Sequence, residues 1–194
     1  GYQTAYFGKC HWHERINDSV YTPPEWRLGW EYWKGWHNGH EDYDLPVFDD
    51  DGNRLHTHKG RFAPEVQAEQ FLDWHVGKKD EPWIAQMNWG PPHNATLSEE
   101  ELDDIREESM RINEELGLGL KEHHFQNVWW FVQSFPQYLV RDVVPQRFLD
   151  AIDHTQLTVP DNVHPDNHLL IQHHLKEYYA QIAALDELTG QLMA

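Results

Sequence analysis

The chain opens with Gly1-Tyr2-Gln3-Thr4-Ala5-Tyr6-Phe7-Gly8-Lys9-Cys10-His11, and this stretch decides the fold. Residues 4–7 have the β-branched and aromatic side chains typical of a strand, and Gly8 permits a tight turn of the backbone. Lys9 and His11 are two residues apart and can therefore point the same way beyond the strand end. Because open α/β sheets build their sites at the carboxyl ends of strands, the stretch predicts a site holding one ammonium and one imidazole.

A helix and a second strand are predicted further along the chain. Pro64 suits a first helical turn, and apolar residues recur on one helical face until Gly77 ends the pattern. Residues 82–88 form a mostly apolar run that is too short for a typical helix, which indicates a buried parallel strand. Strand, helix and strand in this order predict an α/β fold, with a mostly parallel sheet flanked by helices.

A second histidine belongs to the same predicted edge of the sheet. His93 follows the strand 82–88 through Gly90-Pro91-Pro92, a rigid turn that would aim its ring at the carboxyl edge. We therefore predict that Lys9, His11 and His93 lie together as catalytic residues, although 82 residues separate the two histidines. An imidazole at this place can donate a proton to a leaving group.

The stretch between the two strands is rich in aromatic residues. Residues 12–50 contain many Trp, Pro, Gly and His residues without a sustained period, which predicts a long loop layer over the site. Aromatic faces pack on sugar rings, and Asn and His side chains bind hydroxyls, so Trp36, Asn38 and His40 are candidate substrate-binding residues beside Lys9 and His93. Core packing is the alternative for the aromatic side chains. Residues 49–53, Asp-Asp-Asp-Gly-Asn, predict a turn between short strands.

Helices dominate the predicted second half. Ser98 and Glu101 form a capping box that opens a charged helix to about Leu116, and another helix is predicted from Glu122 towards Tyr138. A last helix, from about Asp166, is predicted to pack on the sheet through a face of large apolar residues: Ile171, Leu175, Tyr178, Ile182, Leu185 and Leu192. The histidine pairs are predicted at the surface without a metal: His56 and His58, His123 and His124, His173 and His174.

Composition excludes several classes of partner. The formal net charge is −18, because 33 Asp and Glu residues face 15 Lys and Arg residues, which argues against nucleic acid and anionic membrane surfaces. No apolar run approaches the roughly 20 residues that span a bilayer. The single cysteine, Cys10, excludes an internal disulfide and leaves the compartment open.

The pattern G-Y-x-T-x-x-x-G-K-x-H closely resembles the second signature of the type I sulfatases, which are formylglycine-dependent, arylsulfatase-like enzymes of the alkaline-phosphatase-like superfamily. The resemblance continues through residues 23–33, 87–93 and 177–186, in the order the family uses. It implies an alkaline-phosphatase-like fold, hydrolysis of a sulfate ester such as that of a sulfated carbohydrate, and calcium and formylglycine as cofactors. It also implies that Lys9 pairs with the sulfate oxygens and the nucleophile, that His11 bonds the formylglycine hydroxyl and that His93 contacts the ester.

Two parts of the family pattern are absent from the sequence. The nucleophile signature, Cys or Ser followed by x-Pro-Ser-Arg, is missing, and so are the implied metal-binding carboxylates. We therefore expect residues 1–194 to be the central, incomplete part of a sulfatase catalytic domain, with the nucleophile and calcium ligands outside this chain. Residues 98–153 match nothing in the family and are an insertion candidate. The chain alone is then expected to be inactive.

Two alternatives stay open at this point. The first is a phosphodiester or phosphonate monoester hydrolase of the same superfamily, which the missing metal ligands would help to distinguish. The second is a non-catalytic glycan-binding module derived from the fold, in which the aromatic stretch holds a sugar and no nucleophile is present.

Overall fold

The computed structural model describes residues 1–12, 20–49, 51–77, 81–93, 99–127, 131 and 134–194. The chain forms two compact units, Gly1–His93 with Leu185–Ala194, and Asn94–Ala184. The strands are β1 (Gln3–Cys10), β2 (Tyr32–His37), β3 (Val47–Phe48), β4 (Arg54–Leu55) and β5 (Trp83–Asn88). The helices are α1 (Ala63–Val76), α2 (Glu99–Leu116), α3 (Glu122–Gln126), α4 (Gln146–Asp150) and α5 (His168–Met193). Short 3-10 turns cover Pro24–Trp26, Gln137–Leu139, His154–Gln156 and Pro165–Asn167.

A three-stranded parallel sheet with the order β2-β1-β5 organises the first unit. Ala5 on the central strand lies opposite Tyr32 on one side and Ala85 on the other. The predicted α/β class is confirmed, and strands are present at 4–7 and 82–88 as predicted. Because all three strands run the same way, their carboxyl ends share one edge.

Strand β5 is not buried, however: it lies at the edge of the sheet, and Ile84 is 53% exposed. Strand β1 also continues through Gly8 and Lys9 to Cys10, so Lys9 lies on the strand and not beyond its end.

Strand β2 corrects the prediction that residues 12–50 form one loop layer. Its six residues are mostly aromatic, a composition that favours a pleated strand, and glycines with positive φ lie near both ends, Gly29 at +86° and Gly39 at +79°. Tyr32 packs against Phe7 of β1 on one face of the sheet, while Trp33 stacks on Tyr6 on the other. Since both faces are covered by aromatic rings, the strand shows no alternation of apolar and polar residues.

Helix α1 covers one face of the sheet. It begins beside Pro64 and is capped by Gly77, as predicted. Phe71 and Trp74 of the helix contact Phe7, which is fully buried at the centre of the sheet. Full burial of such a side chain contributes roughly 1.5–3 kcal/mol, so this contact anchors the helix.

The opposite face carries an aromatic cluster around Tyr6. The Tyr6 ring stacks on Trp33 with centroids 4.6 Å apart, and it meets Trp12 at 5.0 Å and Trp30 at 5.6 Å. Each such pair contributes about 0.5–1.5 kcal/mol beyond its buried area. The aromatic residues of the predicted platform are therefore used in part to cover the sheet.

The predicted turn at residues 49–53 joins β3 and β4, as expected. The Asp49 carboxylate accepts hydrogen bonds from the backbone N–H groups of Asp51 at 3.0 Å and Asn53 at 2.8 Å, and Gly52 has φ +84°. Asp50 lies outside the described residues. These bonds are internal to the turn and account for the acidic side chain at Asp49.

The second unit is helical and has its own core. Its buried apolar residues come from α2, α3, α5 and the segments between them: Leu102, Ile112, Leu118, Leu120, Phe125, Phe131, Phe135 and Leu170. Helix α2 ends at Leu116 as predicted, whereas Ser98 of the predicted capping box lies outside the described residues. The insertion predicted at 98–153 falls inside this unit and stays a prediction.

The helix predicted from Glu122 towards Tyr138 is interrupted at Asn127: Phe131 and Ser134 are again helical, and the Phe135 N–H donates to the Phe131 carbonyl at 2.9 Å. Helix α3 ends at Gln126, because Asn127 has the extended backbone angles φ −96° and ψ 99°. Pro136 then precedes a short 3-10 turn, Gln137–Leu139. Proline lacks the N–H that a continuing helix needs, and the residue before it disfavours helical angles.

Helix α5 is present as predicted, but its buried face is different. Tyr178 and Ile182, assigned to the packing face, are 46% and 37% exposed. The buried residues of the helix are smaller or polar: Leu170, His173, Glu177, Ala180, Gln181, Ala184 and Leu188. Small side chains allow close approach of neighbouring segments, which the count of large apolar residues does not detect.

The pair His173 and His174 is not at the surface, in contrast to the prediction. His173 is 5% exposed and bonds the Tyr138 hydroxyl through Nδ1, while His174 bonds the Ser134 carbonyl through Nε2. Burial, followed by the charge of nearby His154, lowers the pKa of His173 to about 4. Both rings are satisfied core histidines. Among the described residues, no helix is long and apolar enough to cross a membrane.

Candidate functional site

The carboxyl edge of the sheet receives a polar residue from each strand. β1 ends at Cys10 and is followed by His11, β2 leads to His40, and β5 leads to His93. Parallel pairing brings these strand ends side by side, so the predicted edge collects three imidazoles beside Lys9.

Lys9 and His93 meet through His40. The Lys9 Nζ atom lies 2.8 Å from His40 Nε2 and 3.4 Å from His40 Nδ1. The His93 ring stacks on the His40 ring, with centroids 3.5 Å apart and planes 8° from parallel. His11 is close enough for its charge to act on His40, and its ring meets the His37 ring edge-on at 5.3 Å.

Burial and the neighbouring charges together keep the His40 ring neutral. Burial is the main cause, and the charges of Lys9, His93 and His11 act in the same direction, so that the pKa of His40 falls to about 3. Burial also lowers the pKa of Lys9 from its usual value. The edge therefore concentrates cationic and hydrogen-bond-donating groups in a chain whose net charge is −18, and such a local potential attracts an anion.

The backbone of Lys9 is fixed by a small hydrogen-bond network between β1 and β5. The Tyr6 hydroxyl donates to the Lys9 carbonyl at 2.6 Å, and the Asn88 side-chain amide donates to the same carbonyl at 3.0 Å and to the Tyr6 hydroxyl at 2.5 Å. Burial raises the pKa of Tyr6, so its hydroxyl keeps the proton that it donates. Tyr6 on β1 and Asn88 on β5, which are 82 positions apart in the sequence, thus hold the Lys9 carbonyl together.

Beside this hydrogen-bond network, β5 and the Gln67 side chain pack closely on Gly8. Gly8 has φ +106°, and a Cβ atom built on it would lie 1.9 Å from the Asn88 carbonyl oxygen and 2.5 Å from Gln67 Nε2. The Gln67 amide donates to that same carbonyl at 3.1 Å. Only glycine allows β1, β5 and the α1 side chain to approach this closely.

The predicted substrate-binding residues separate into two groups. His40 and His93 join the edge, and Asn38, with φ +53°, donates its backbone N–H to the Cys10 carbonyl at 2.7 Å. Trp36 does not join them: it is 1% exposed and packs in the core with Leu45, Ala63 and Val66. Its position on β2 turns the indole towards α1, so the core-packing alternative holds for this residue.

Other aromatic rings are open to a ligand near the strand end. Trp12 follows His11 directly and is 36% exposed, and its indole N–H donates to the Trp26 carbonyl at 3.1 Å. Trp26 is 37% exposed. The aromatic cluster that the sequence suggested as a sugar platform included Trp26 and Trp36 but not Trp12, although the short distance of Trp12 from the end of β1 was a usable signal.

Cys10 has no nucleophilic environment. Its thiol is buried, contacts the Thr22 hydroxyl at 3.6 Å, and has a raised pKa, mainly because burial disfavours the thiolate. Reactive cysteines instead have lowered pKa values and partial exposure. The thiol therefore does not substitute for the nucleophile that the resemblance implies.

The edge does not fit the implied calcium ion. Its donors are nitrogen atoms of Lys9, His40 and His93, whereas calcium is bound by carboxylate, carbonyl and water oxygens. Within the part of the chain that the structure describes, no group of three or more His, Cys, Asp or Glu residues is arranged to hold a metal. These residues are suited to an anion.

Comparison with known proteins points to the sulfatases. The chain is similar to the "Ulvan-active sulfatase" of Formosa agariphila, with 26% identity over 198 residues that cover 100% of this chain and 29% of that protein. No protein-family model matches the chain. The similarity supports a relationship to sulfatases, and to sulfuric ester hydrolases as a class, without resolving the subfamily or the substrate.

Proposed function

We propose that this chain is part of a sulfatase and that the carboxyl edge of its sheet binds the sulfuryl group of a sulfate ester. The main support is the convergence of Lys9 and His93 on His40, from three different strands, at the edge where parallel sheets build their sites. The similarity to a sulfatase over the whole chain supports the same reaction class.

Each residue of the edge has a task that its geometry supports. An ammonium has three N–H donors, so Lys9, whose Nζ atom lies 2.8 Å from His40 Nε2, can offer N–H groups to sulfuryl oxygens. The His93 side chain is exposed and can donate a proton to the leaving-group oxygen. His11 is also exposed, beside the other two, and is proposed to orient the attacking group. Donors fixed before the reaction stabilise negative charge as it develops.

The attacking group is proposed to come from sequence outside these 194 residues. Formylglycine supplies the nucleophile in the family that the chain resembles, and the sequence contains no matching signature. Among the residues that the structure describes, no group of three or more His, Cys, Asp or Glu residues is arranged to hold a metal. The residues present bind and orient an anion, and we expect no turnover from them alone.

A sulfated carbohydrate is the proposed substrate class. Trp12 and Trp26 present exposed rings close to the strand end, and such rings pack on sugar faces. The Asn38 side chain, on the loop between β2 and His40, is proposed to bind a hydroxyl. The name of the similar protein, an ulvan-active sulfatase, supports the proposal.

Titration of the chain with inorganic sulfate tests the proposal. We expect saturable NMR shifts at Lys9, His11 and His93 that disappear in Lys9→Ala. Lys59→Ala removes an exposed lysine from a turn and is the matched control, which should bind like the wild type. Phosphate added as a competitor distinguishes a sulfate site from that of a phosphodiester or phosphonate ester hydrolase. Equal shifts in Lys9→Ala and the wild type would exclude this edge as the anion site.

A further inference from the structure

We propose that a cavity on the outer side of β2 is a second binding site, which takes the carboxylate of an acidic sugar. The cavity has a volume of about 120 Å³ and is lined by the loop before β2, by β2 itself, by β3 and by α1. All of its lining residues belong to the first unit. Its use as a subsite beside the carboxyl edge of the sheet rests on the proposed function, whereas the binding of the sugar does not.

The cavity lies on the side of β2 that pairs with no strand of the described sheet. β2 pairs with β1 on one side, and on the other the His37 N–H donates to the Val20 carbonyl at 2.7 Å. Because backbone groups two residues apart along a strand point the same way, the N–H of Gly35, which lines the cavity, faces this side too. It is a donor that a bound anion can use.

Arg27 supplies a positive charge that is held in place. Its Nε–H donates to the Thr22 carbonyl at 3.1 Å, and its guanidinium carbon lies 6.0 Å from the centre of the Tyr21 ring and 5.8 Å from that of the Trp33 ring. These contacts fix the guanidinium before a ligand binds. It forms no ion pair with a described residue, so its two terminal amino groups are available as a planar fork that matches the oxygens of a carboxylate.

The other charged groups leave the cavity cationic. Lys34 is exposed and adds an ammonium to its lining. Asp49 is the only carboxylate among the described lining residues, and both of its oxygens already accept hydrogen bonds inside its own turn: Oδ1 from the backbone of Asp51 and Asn53, and Oδ2 from the Asn53 side chain at 3.0 Å. Two cations thus accompany one occupied carboxylate, a balance that attracts an anion.

The remaining lining groups suit the sugar that carries the carboxylate. The Tyr21 and Phe48 rings pack together with centroids 5.4 Å apart, and such rings offer a surface for the apolar face of a sugar. Gln70 of α1 has an Oε1 atom without a hydrogen-bond partner among the described residues, and this atom can accept a bond from a hydroxyl. A carboxylate therefore fits into the cavity while its ring rests on the aromatic side chains.

The position of the cavity suits a substrate with several sugars. Lys34 is three residues before His37, the last residue of β2, so the cavity lies about 10 Å along the strand from the carboxyl edge, at about 3.3 Å per residue. Trp12, which follows His11, contacts Trp33 of the cavity lining with ring centroids 5.7 Å apart. One carbohydrate chain can therefore place a sulfate at the edge and a carboxylate in the cavity.

Titration with three small molecules tests the site. Glucuronate carries both the carboxylate and the ring, methyl glucoside only the ring, and acetate only the carboxylate. With glucuronate we expect saturable NMR shifts at the Trp33 indole and the Gly35 amide. Acetate should bind about tenfold more weakly because it lacks the ring, and methyl glucoside should not bind at the same concentrations.

Two variants remove the charges one at a time. Arg27→Gln and Lys34→Ala should each weaken glucuronate binding about tenfold, the usual size of one hydrogen bond to a charged group. Lys59→Ala removes an exposed lysine from a turn and is the matched control for Lys34→Ala, so it should bind like the wild type. Lys34 is exposed on an outer strand, and its replacement should leave the fold intact even if Arg27→Gln does not fold.

Three results would overturn the inference: equal affinity of the wild type for glucuronate and methyl glucoside, equal affinity for glucuronate and acetate, or equal glucuronate affinity of Lys34→Ala and Lys59→Ala. If glucuronate binds in the cavity but inorganic sulfate shifts neither Lys9 nor His93, the cavity site stands and the proposed function fails. If sulfate binds at the edge and glucuronate leaves Trp33 and Gly35 unchanged, the proposed function stands and the cavity site fails.

Discussion

Replacing Gly8 by alanine should disrupt the site and the sheet together. The new Cβ atom would lie 1.9 Å from the Asn88 carbonyl oxygen, whereas unbonded carbon and oxygen atoms seldom approach closer than about 3.3 Å. Strand β5 would have to move by about 1.4 Å, the difference between these two distances. That displacement would break the bonds that Asn88 makes to Tyr6 and Lys9.

The loss of stability expected in Gly8→Ala has two contributions. A residue other than glycine at φ +106° costs roughly 1–3 kcal/mol in backbone strain, and overpacking costs roughly 1–3 kcal/mol more. The expected loss for Gly8→Ala is therefore about 2–6 kcal/mol, a large part of the 5–15 kcal/mol typical of a domain. Sulfate affinity should fall in the same variant, because the Lys9 backbone loses its support.

Substitutions at two other glycines separate the backbone strain from the steric overlap. Gly29 has φ +86° and no atom within 4 Å of a built Cβ, so Gly29→Ala should show the backbone strain alone. At Gly35 the backbone angle is ordinary, but a Cβ would lie 2.7 Å from the Trp33 ring and 2.8 Å from the Tyr6 ring, so Gly35→Ala should show the contact alone. Urea unfolding followed by tryptophan fluorescence measures all three. A Gly8→Ala chain as stable as Gly29→Ala would refute the reasoning.

Three further predictions concern the site and the second unit. In a protein that also carries the nucleophile and metal ligands, Lys9→Ala and His93→Ala should each lower kcat/KM for an aryl sulfate roughly 100- to 1,000-fold without changing the circular dichroism spectrum, and near-normal kinetics would remove that residue from the site. Because folding lowers the pKa of His173 to about 4, its contribution to stability should be complete above about pH 6.5 and be lost, by up to about 3 kcal/mol, as pH falls towards 4; His173→Phe should flatten this slope in urea titrations. Ala184→Leu should destabilise the chain by about 1–3 kcal/mol, whereas Ala183→Leu, at an exposed position of the same helix, should change its free energy of unfolding by less than about 0.5 kcal/mol; equal losses in the two variants would contradict the buried face of α5.

The elements that could be predicted from the sequence have local signals. Pro64 and Gly77 mark the ends of α1, and the apolar run of β5 is short and lies between breakers. The convergence of Lys9 with His93 then required only that two strands be parallel. Lys9 lies near the carboxyl end of β1 and His93 follows β5 closely, so few positions were open to either side chain.

Strand β2 and the role of His40 could not be predicted in the same way. The ring pairs of Tyr32 and Trp33 lie on opposite faces, so the strand had no period, and its assignment depends on pairing with a strand more than 20 residues away. His40 was predicted to bind substrate, but its contact with Lys9 follows only once β2 is a neighbour of β1.

The buried face of α5 was missed for a different reason. Ala180 and Ala184 are buried because they are small, and Glu177 because its carboxylate accepts the Tyr138 backbone N–H at 3.0 Å. Counting large apolar residues gives the wrong face in such a helix. The partners of the face, which lie elsewhere in the chain, decide which residues become buried.

The strand order also has a consequence for how the protein acquires its site. During synthesis β1 and β2 leave the ribosome well before β5, so β1 can pair with β2 while its other side is still open. The pairing of β1 with β5 closes a much longer loop, which slows folding. We therefore expect Lys9 and His40 to come into contact early in folding, and the hydrogen bond from Asn88 to the Lys9 carbonyl to form last. Until then the nascent chain exposes one side of its central strand, and that is the interval in which it is most open to chaperones and to aggregation.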